Sequence, residues 1–213
     1  MLTLGVLVSG AGSNLQAILD AIAAGRLPCR VAVVVSNRPG AAALGRARKA
    51  GVGTRVIDHR EHPSREAFDA ALVEVLRAAG TELVVLAGFD RVVTRVLLAA
   101  YAGRVLNVHP ALLPSFKGLH AQRQALEYGV RVTGATVHFV DDQVDHGPIV
   151  LQGAVAVAPD DTEDSLARRI LEVEHRIYPE AIRLFAEGRL ELDGRRVRIA
   201  GAAGPLPPPL LPA

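Results

Sequence analysis

The chain has 213 residues, of which 50% are hydrophobic and 4% are aromatic. This length supports one substantial core and is short for two full domains. The formal net charge of +2 is spread along the chain, apart from the cluster Arg195-Arg196-Val197-Arg198, so no nucleic-acid groove is indicated. The longest apolar runs are far too short to span a bilayer, and we expect no contact with a membrane.

The N-terminus lacks a secretory pattern, because no basic residues precede its apolar run and that run ends at Ser9-Gly10. Cys29 is the single cysteine, so an intrachain disulfide is excluded and a reducing compartment is expected. These features together predict a cytoplasmic protein.

The first half of the chain alternates short apolar runs with segments of helical spacing. Apolar runs at 2–8, 31–35 and 83–87 predict buried strands, since polar alternation is absent from them, and a further strand is predicted at 53–58. Helices are predicted between them at 15–24, 41–50 and 64–79, the last with Ser64 as its N-cap. This rhythm predicts an α/β fold with a doubly wound, mostly parallel sheet and helices on both faces.

The second half changes character toward antiparallel strands. Helices are predicted at 92–100 and 119–127, and a strand at 104–108. Two β-branched runs at 133–140 and 149–157 predict an antiparallel pair. A long helix at 162–186 contains Pro179, which predicts a kink or break near Tyr178.

The C-terminal segments predict a hairpin and a tail. Residues 190–192 and 197–199 flank Asp193-Gly194, a pair that is typical of a tight turn. Residues 201–213 are rich in Pro, Ala, Gly and Leu, and we expect this tail to be mobile. The predicted organisation is therefore one domain over residues 1–200, followed by the tail.

The turn after the first strand reads Ser9-Gly10-Ala11-Gly12-Ser13-Asn14, which allows backbone amides at a helix N-terminus to approach an anion. The dinucleotide fingerprint is incomplete, because Leu15 stands at its third glycine and no acidic residue follows the second strand. No Gly-Lys-Ser/Thr follows either, so the pattern favours a single phosphate, with a plain tight turn as the alternative.

Three polar residues in turn-rich segments favour acyl-type transfer. Asn107 and His109 are two apart, so at a strand end they point to the same face, and Asp145 stands before Gly147-Pro148. A carbonyl that becomes tetrahedral needs donors where negative charge develops, and an imidazole beside a carboxylate can supply one. The alternative is a turn-forming asparagine and a structural histidine.

The segment from Asn107-Val-His109-Pro to Pro114-Ser-Phe-Lys-Gly118 resembles the signature of the folate-dependent formyltransferases. The loop Gly12-Ser13-Asn14-Leu-Gln-Ala and the block Glu174-His-x-x-Tyr178-Pro are similar to the branch that formylates glycinamide ribonucleotide. The resemblance covers about residues 1–193. It implies a Rossmann-like formyltransferase fold and an enzyme of de novo purine synthesis that uses 10-formyltetrahydrofolate as cosubstrate and is a monomer or weak homodimer.

The resemblance also implies roles for individual residues. Asn107, His109 and Asp145 match the catalytic residues of the family. Gly12, Ser13 and Asn14 match residues that hold the phosphate of the ribonucleotide substrate, and Glu174 matches one that binds its ribose. The residues that match positions near the formyl-folate are Arg65, Asp90, Arg91, Val92, Val93, Asn107, Asp141 and Asp145. Solvent-exposed helical charges remain the alternative for Arg65 and Glu174.

Asp90 departs from the family, since a methionine is usual at this position. The family reads the pterin ring with backbone groups here, so the substitution leaves side-chain packing against the cosubstrate open. A charge that pairs with Arg91 or Arg95 is the alternative. Asp141 and Asp142 are expected to face solvent. His109, His120, His138 and His146 fit no usual zinc spacing, and we expect no metal.

The expected mechanism is direct attack of the amine on the formyl carbon, with Asn107 and His109 binding the oxygen of the tetrahedral species. Asp145 is expected to raise the pKa of His109 and to receive the proton of the amine. Formyltetrahydrofolate hydrolases and methionyl-tRNA formyltransferases share the Asn-His-Asp arrangement but carry an additional domain, for which this length leaves no room. A sugar-nucleotide formyltransferase would need a different amine pocket. A binding module without catalysis and an NAD(P)H-dependent oxidoreductase are the alternatives from other classes.

Overall fold

A computed structural model describes residues 1–201 of the chain; the tail predicted for 201–213 lies, from residue 202 onward, outside the described residues. The strands are β1 (Leu2–Val8), β2 (Cys29–Ser36), β3 (Gly53–Val56), β4 (Leu83–Leu86), β5 (Val105–His109), β6 (Val132–Phe139), β7 (Ile149–Ala156), β8 (Leu190–Asp193) and β9 (Arg196–Ile199). The helices are α1 (Ser13–Ala23), α2 (Ala42–Lys49), α3 (Arg65–Ala78), α4 (Arg95–Ala100), α5 (Ala121–Tyr128) and α6 (Glu163–Ala186).

Seven strands form one sheet in the order β3-β2-β1-β4-β5-β6-β7. The pairs from β3 to β5 are parallel, and β5–β6 and β6–β7 are antiparallel. The predicted fold class is therefore confirmed, including the antiparallel strands toward the C-terminus. The β8–β9 hairpin forms a separate two-stranded sheet around Gly194, as the sequence predicts.

The sheet carries a hydrophobic core on each face because side chains alternate along its strands. Leu4, Val6 and Val8 of β1 belong to the core formed with α1, α2 and α6. Leu7 and strand residues such as Val35 belong to the opposite core, which α3 and α4 complete. Helices therefore cover both faces, which explains why β1 has no polar positions facing solvent.

Two predicted helices differ most from those in the structure. Helix α4 begins at Arg95 rather than at residue 92, because the Thr94 side chain caps it by accepting from the Val96 amide at 3.3 Å. Helix α6 runs through Pro179 to Ala186, so of the kink or break predicted near Tyr178 the break is wrong. Packing of α6 against the sheet outweighs the single backbone donor that Pro179 lacks.

The carboxyl ends of β1 and β4 define the crevice in which doubly wound folds bind their ligands. The chain leaves β1 toward β2 on one side, whereas β4 and β5 lie on the other side of β1. At such a switch point the loops separate and leave room for a ligand. Among the described residues, no helix is long and apolar enough to cross a membrane.

Candidate active site

Strand β5 brings Asn107 and His109 to the carboxyl edge of the sheet. The two residues are separated by Val108, so their side chains lie on the same face of the strand. His109 is 4% exposed, and Asn107 is partly buried. A buried imidazole at a strand end needs polar partners, since an unpaired ring nitrogen in this position would be costly.

Antiparallel pairing of β5 with β6 places His138 directly opposite Asn107. The Nδ1 of His138 is 2.8 Å from the Phe139 carbonyl oxygen, which can only accept a hydrogen bond. In its neutral form the imidazole therefore carries its proton on Nδ1, and its Nε2 accepts from the Asn107 amide nitrogen at 3.2 Å. His138 thus orients the carboxamide of Asn107.

Asp145 reaches the same place from the loop between β6 and β7. Its Oδ2 lies 3.2 Å from Nδ1 of His109, and its Oδ1 lies 3.7 Å from Nε2 of His138. The Gly118 amide donates to Oδ2 at 2.8 Å. The structure therefore brings together the three residues that the sequence predicts as catalytic, and it adds His138 to them.

The backbone conformation of the β6–β7 loop places the Asp145 carboxylate beside His109 and His138. Asp145 adopts a left-handed conformation with φ 46°, which a non-glycine residue rarely takes. Two residues later, a Cβ on Gly147 would lie 1.9 Å from the carbonyl oxygen of Phe139. Only glycine fits this close approach, so the Gly147-Pro148 pair fixes the path of the loop that carries Asp145.

Both ring nitrogens of His109 face hydrogen-bond acceptors. Nδ1 faces the carboxylate of Asp145 at 3.2 Å, and Nε2 lies 2.8 Å from the carbonyl oxygen of Phe116. A carbonyl oxygen cannot donate, so Nε2 carries a proton. Phe116 itself has φ 53°, another uncommon left-handed residue. The Phe116 carbonyl therefore occupies the position at which a substrate oxygen would accept from Nε2.

The pKa values of Asp145 and His109 are both lowered. Burial raises the pKa of Asp145, but the nearby His138 and His109 and the hydrogen bond from the Gly118 amide outweigh burial and hold its pKa below the ordinary value. Burial lowers the pKa of His109, and Asp145 raises it by a smaller amount. Asp145 therefore raises the pKa of His109, as the sequence predicts, but the loss of water around the ring outweighs this contribution and the net pKa is lowered.

The β1–α1 turn has the glycine geometry that the sequence requires. Gly12 caps α1 with φ 75°, and a Cβ there would lie 2.6 Å from that of Ala43. Ser13 begins α1, which leaves the amides of its first turn without intrahelical partners. These amides form a suitable site for an anion at the switch point.

Asn14 and Glu174 form a buried polar pair beside this turn. The Asn14 amide nitrogen donates to Oε2 of Glu174 at 2.6 Å, and the two residues are 7% and 5% exposed. Burial raises the pKa of Glu174 to about 7, although the hydrogen bond from Asn14 lowers it. Within residues 1–201, the Asn14 side-chain oxygen is buried and has no hydrogen-bond partner. Glu174 is therefore not an exposed helical charge.

The loop after β4 carries the residues predicted to lie near the folate. Val93 is buried, Val92 is half exposed, and the Arg91 side chain is partly buried. Asp90 forms an ion pair with Arg38, rather than with Arg91 or Arg95 as the alternative expects. Arg95 instead pairs with Asp142 at 2.8 Å in an exposed contact.

Two further predicted residues lie outside the cluster of Asn107, His109, His138 and Asp145. Arg65 is exposed at the first position of α3, and no hydrogen bond or ion pair in the described part of the chain joins it to the catalytic residues. Asp141 was expected to face solvent but is partly buried, since its Oδ2 lies 2.8 Å from Nδ1 of His146. Asp142 is solvent-facing, as expected.

Sequence reasoning missed the supporting residues of the cluster. His138 was considered only as a metal ligand, although the strict pairing of two adjacent strands could have placed it opposite Asn107. Phe116 and Gly118 contribute backbone groups, which carry no side-chain signal in a sequence. Over residues 1–201, no group of three or more His, Cys, Asp or Glu side chains is arranged to hold a metal ion.

Comparisons with known proteins agree with this geometry. The profile of the formyl transferase family matches residues 3–182. Phosphoribosylglycinamide formyltransferase of Escherichia coli is 45% identical over 205 residues, which cover 93% of this chain and 97% of that protein. The structure of glycinamide ribonucleotide transformylase 1 from Symbiobacterium toebii has 61% identity and a TM-score of 0.93, covering 93% of this chain and 94% of that one.

A longer relative matches in one part. The trifunctional purine biosynthetic protein adenosine-3 of Drosophila melanogaster is 48% identical over 185 residues, which are 86% of this chain. The chain spans 14% of the length of that relative.

A doubly wound sheet whose edge gathers Asn107, His109 and Asp145 is what we expect of a formyl transferase. The chain belongs to the formyl transferase family and, within it, to the phosphoribosylglycinamide formyltransferases.

Proposed function

We propose that the chain transfers the formyl group of 10-formyltetrahydrofolate to the amine of glycinamide ribonucleotide, a step of de novo purine synthesis. The observation that carries this proposal is the convergence of Asn107, His109 and Asp145 at the ligand crevice of the sheet. The names of the E. coli and S. toebii relatives support the choice of acceptor.

The proposed reaction is direct attack of the neutral amine on the formyl carbon. A C–N bond forms to the amine while the electron pair of the carbonyl moves onto its oxygen. The amide of Asn107 and Nε2–H of His109 donate to that oxygen, because Nδ1 of His109 faces Asp145. The C–N bond to the folate then breaks, and the folate nitrogen receives a proton from His109 or from water.

This assignment requires the substrate oxygen to replace the carbonyl of Phe116 at Nε2 of His109. Both acceptors are carbonyl oxygens, so Nε2 of His109 has a hydrogen-bond acceptor before and after the exchange. Asp145 is proposed to accept the proton of the attacking amine through water. Its lowered pKa keeps it ionised at neutral pH, where it also stabilises the imidazolium form of His109.

For the nucleotide, we propose that Gly12, Ser13 and Asn14 bind the phosphate and that Glu174 binds the ribose. The left-handed Gly12 and the free amides of α1 suit an anion. The buried side-chain oxygen of Asn14 and the carboxyl of Glu174 can pair with ligand hydroxyl groups. A Glu174 pKa of about 7 allows this carboxyl to donate as well as accept near neutral pH.

For the formyl donor, we propose a site formed by the loop after β4, the β6–β7 loop, the start of α3 and Asn107 of β5. Its residues are Arg65, Asp90, Arg91, Val92, Val93, Asn107, Asp141 and Asp145. The half-exposed Val92 and the exposed Arg65 suit the pterin and the glutamate end of the folate, respectively.

The test is a spectrophotometric assay with glycinamide ribonucleotide and a formyl-folate, which follows the absorbance of the released folate. We expect turnover by the unmodified protein, and losses of about 10²–10³ for His109→Ala and for Asp145→Asn. The matched control is Asp142→Asn in the same loop, since Asp142 is exposed and pairs with Arg95. Near-native turnover by both His109→Ala and Asp145→Asn contradicts the assignment.

A further inference from the structure

Asp90 is the centre of a polar network that joins the ends of three adjacent strands. Ser9 follows β1, Asn37 and Arg38 follow β2, and Asp90 lies in the loop after β4. These strands are neighbours in the order β2-β1-β4, so their carboxyl ends meet at the switch point. The network therefore lies between the turn proposed to bind the nucleotide and the loop proposed to bind the folate.

Both carboxylate oxygens of Asp90 are engaged. Oδ1 accepts from the Ser9 hydroxyl at 2.8 Å and from the Asn37 amide nitrogen at 2.9 Å. Oδ2 forms an ion pair with the guanidinium of Arg38. These contacts outweigh burial, which raises the pKa, and hold the pKa of Asp90 below the ordinary value. The carboxylate is thus ionised and bound from two sides.

The backbone joins the same elements. The Asp90 amide donates to the Ser9 hydroxyl oxygen at 2.9 Å, and the Ser9 amide donates to the Gly88 carbonyl at 2.9 Å. Ser9 directly precedes the turn that leads to Gly12. Movement of the loop at 88–93 must therefore break bonds to the residue that begins the nucleotide turn.

The geometry separates this role from direct binding of the cosubstrate. The Asp90 side chain keeps 32% of its surface exposed, but each of its oxygens already has a charged or polar partner within the protein. A ligand group would have to displace Arg38 or Asn37. The carboxylate acts instead on the position of its own backbone and that of Arg91, Val92 and Val93 after it.

We propose that Asp90 is a positioning residue which, through Ser9, Asn37 and Arg38, holds the loop at 88–93 in the conformation that receives the formyl donor. This inference rests on the proposed function. It explains how a carboxylate can stand where the family usually has methionine: the charge faces the strand ends and leaves the backbone of the loop available to the folate. In this chain an ion pair to Arg38 and hydrogen bonds from Ser9 and Asn37 hold the loop.

The test compares Asp90→Asn, Asp90→Ala, Arg38→Gln and the double variant Asp90→Asn with Arg38→Gln. We expect the KM for 10-formyl-5,8-dideazafolate to rise about threefold for Asp90→Asn and for Arg38→Gln, which each lose a partly exposed ion pair. Asp90→Ala loses the charged hydrogen bonds as well, and its KM is expected to rise about tenfold or more. The kcat at saturation should fall much less than KM rises.

The double variant tests whether the two residues act together. If Asp90 and Arg38 act through one ion pair, the double variant has the KM of the worse single variant, not the product of the two effects. The control is Asp193→Asn, which removes an exposed carboxylate that lies 2.7 Å from Arg198 and has no hydrogen bond or ion pair to the Asp90 network among the described residues. An unchanged KM in all Asp90 variants, or a kcat loss without a KM rise, overturns the proposal.

A binding measurement separates this proposal from the proposed function. Titration calorimetry with 10-formyl-5,8-dideazafolate needs no acceptor, so weaker binding by Asp90→Ala supports the loop role even if glycinamide ribonucleotide is not the substrate. Equal affinity of Asp90→Ala and the unmodified protein overturns the loop role even if formyl transfer is observed.

Discussion

At the scale of single residues, Glu174 is a buried acid whose pKa links stability to pH. Burial raises its pKa from the ordinary value of 4.5 to about 7, so the folded state holds the proton more tightly than the unfolded state. The resulting stability is fully present below pH 4.5 and is lost as the pH rises through 7. The rise in pKa corresponds to roughly 3 kcal/mol.

Glu174→Gln is expected to remove this pH dependence, because a carboxamide has no proton to lose in this range. At pH 8 the variant should be more stable than the unmodified protein by up to about 3 kcal/mol. Urea denaturation of both proteins between pH 4.5 and 8 measures the difference in their free energies of unfolding. The titrations of all other groups are common to both proteins and cancel in this difference. A constant difference in unfolding free energy across this range would show that the carboxyl does not titrate as described.

The sequence predicts those parts of the site that are formed by polar side chains at a fixed spacing along a strand or loop. Asn107 and His109 two apart on a strand, with Asp145 before Gly-Pro, predict a cluster that the structure contains. The pKa of His109 and the position of its ring proton could not be predicted from the sequence. They depend on burial of the ring and on the carbonyl of Phe116. Burial is a property of the whole fold and has no local pattern.

At the scale of elements, the β8–β9 hairpin contacts the loop that carries Asp145. Arg195 lies in the hairpin turn, and its Nη2 donates to the carbonyl oxygen of His146 at 2.6 Å. The His146 ring in turn pairs with Asp141 at 2.8 Å. The loop is therefore held on both sides of Asp145, which helps to maintain its left-handed conformation.

Arg195→Gln is expected to lower kcat by about three- to tenfold, because it removes a charged hydrogen bond next to Asp145. The midpoint of thermal unfolding should change little, since Arg195 lies outside both cores. The matched control is Arg198→Gln in the same hairpin, whose side chain pairs only with the exposed Asp193 among the described contacts. Equal kcat values in the two variants would count against a role of the hairpin in holding the loop.

Element prediction from sequence is accurate where periodicity reflects burial. The run 2–8 matches β1, and the β-branched runs match β6 and β7 within a residue or two at each end. Element prediction is inaccurate where a single interaction determines where a helix begins or ends. The Thr94 cap sets the start of α4 at Arg95, and tertiary packing allows α6 to continue through Pro179. Neither the cap nor the packing has a signature in local hydrophobicity.

At the scale of the whole molecule, α6 connects the β1–α1 turn to strand β5, which carries Asn107 and His109. Glu174 and Tyr178 are four residues apart, so they lie on the same face of the helix. Glu174 accepts from Asn14 at the start of α1, and the Tyr178 hydroxyl lies 2.9 Å from the carbonyl of Leu106, next to Asn107. One helix face therefore fixes the spacing between the two proposed substrate sites.

The strand order that creates this arrangement could not be read from the sequence. Alternating strands and helices predict a parallel sheet, but many orders satisfy the same alternation. Long-range pairs such as Asn14–Glu174, which are 160 positions apart, become visible only when the order is known. The predicted role of Glu174 in binding the ribose comes from the resemblance to the family, whereas the burial of Glu174 is visible only in the structure.

Tyr178→Phe tests the connection through α6. The fully buried hydroxyl lies 3.0 Å from the Leu86 carbonyl, at the end of β4, and 2.9 Å from the Leu106 carbonyl, near the start of β5. Its removal takes a donor from two buried carbonyls, and we expect a loss of about 1–2 kcal/mol in the free energy of unfolding. The kcat should also fall, because β5 carries Asn107 and His109.

The matched control is Tyr101→Phe, since Tyr101 is 3% exposed and its hydroxyl has no hydrogen-bond partner within the described part of the chain. Removing an unpaired buried hydroxyl should leave stability unchanged or increase it, and kcat should not change. Denaturant unfolding and steady-state kinetics on both variants separate the two cases. If Tyr178→Phe is as stable and as active as Tyr101→Phe, the hydroxyl of Tyr178 does not hold α6 to the catalytic strand, and helix packing alone sets the distance between the sites.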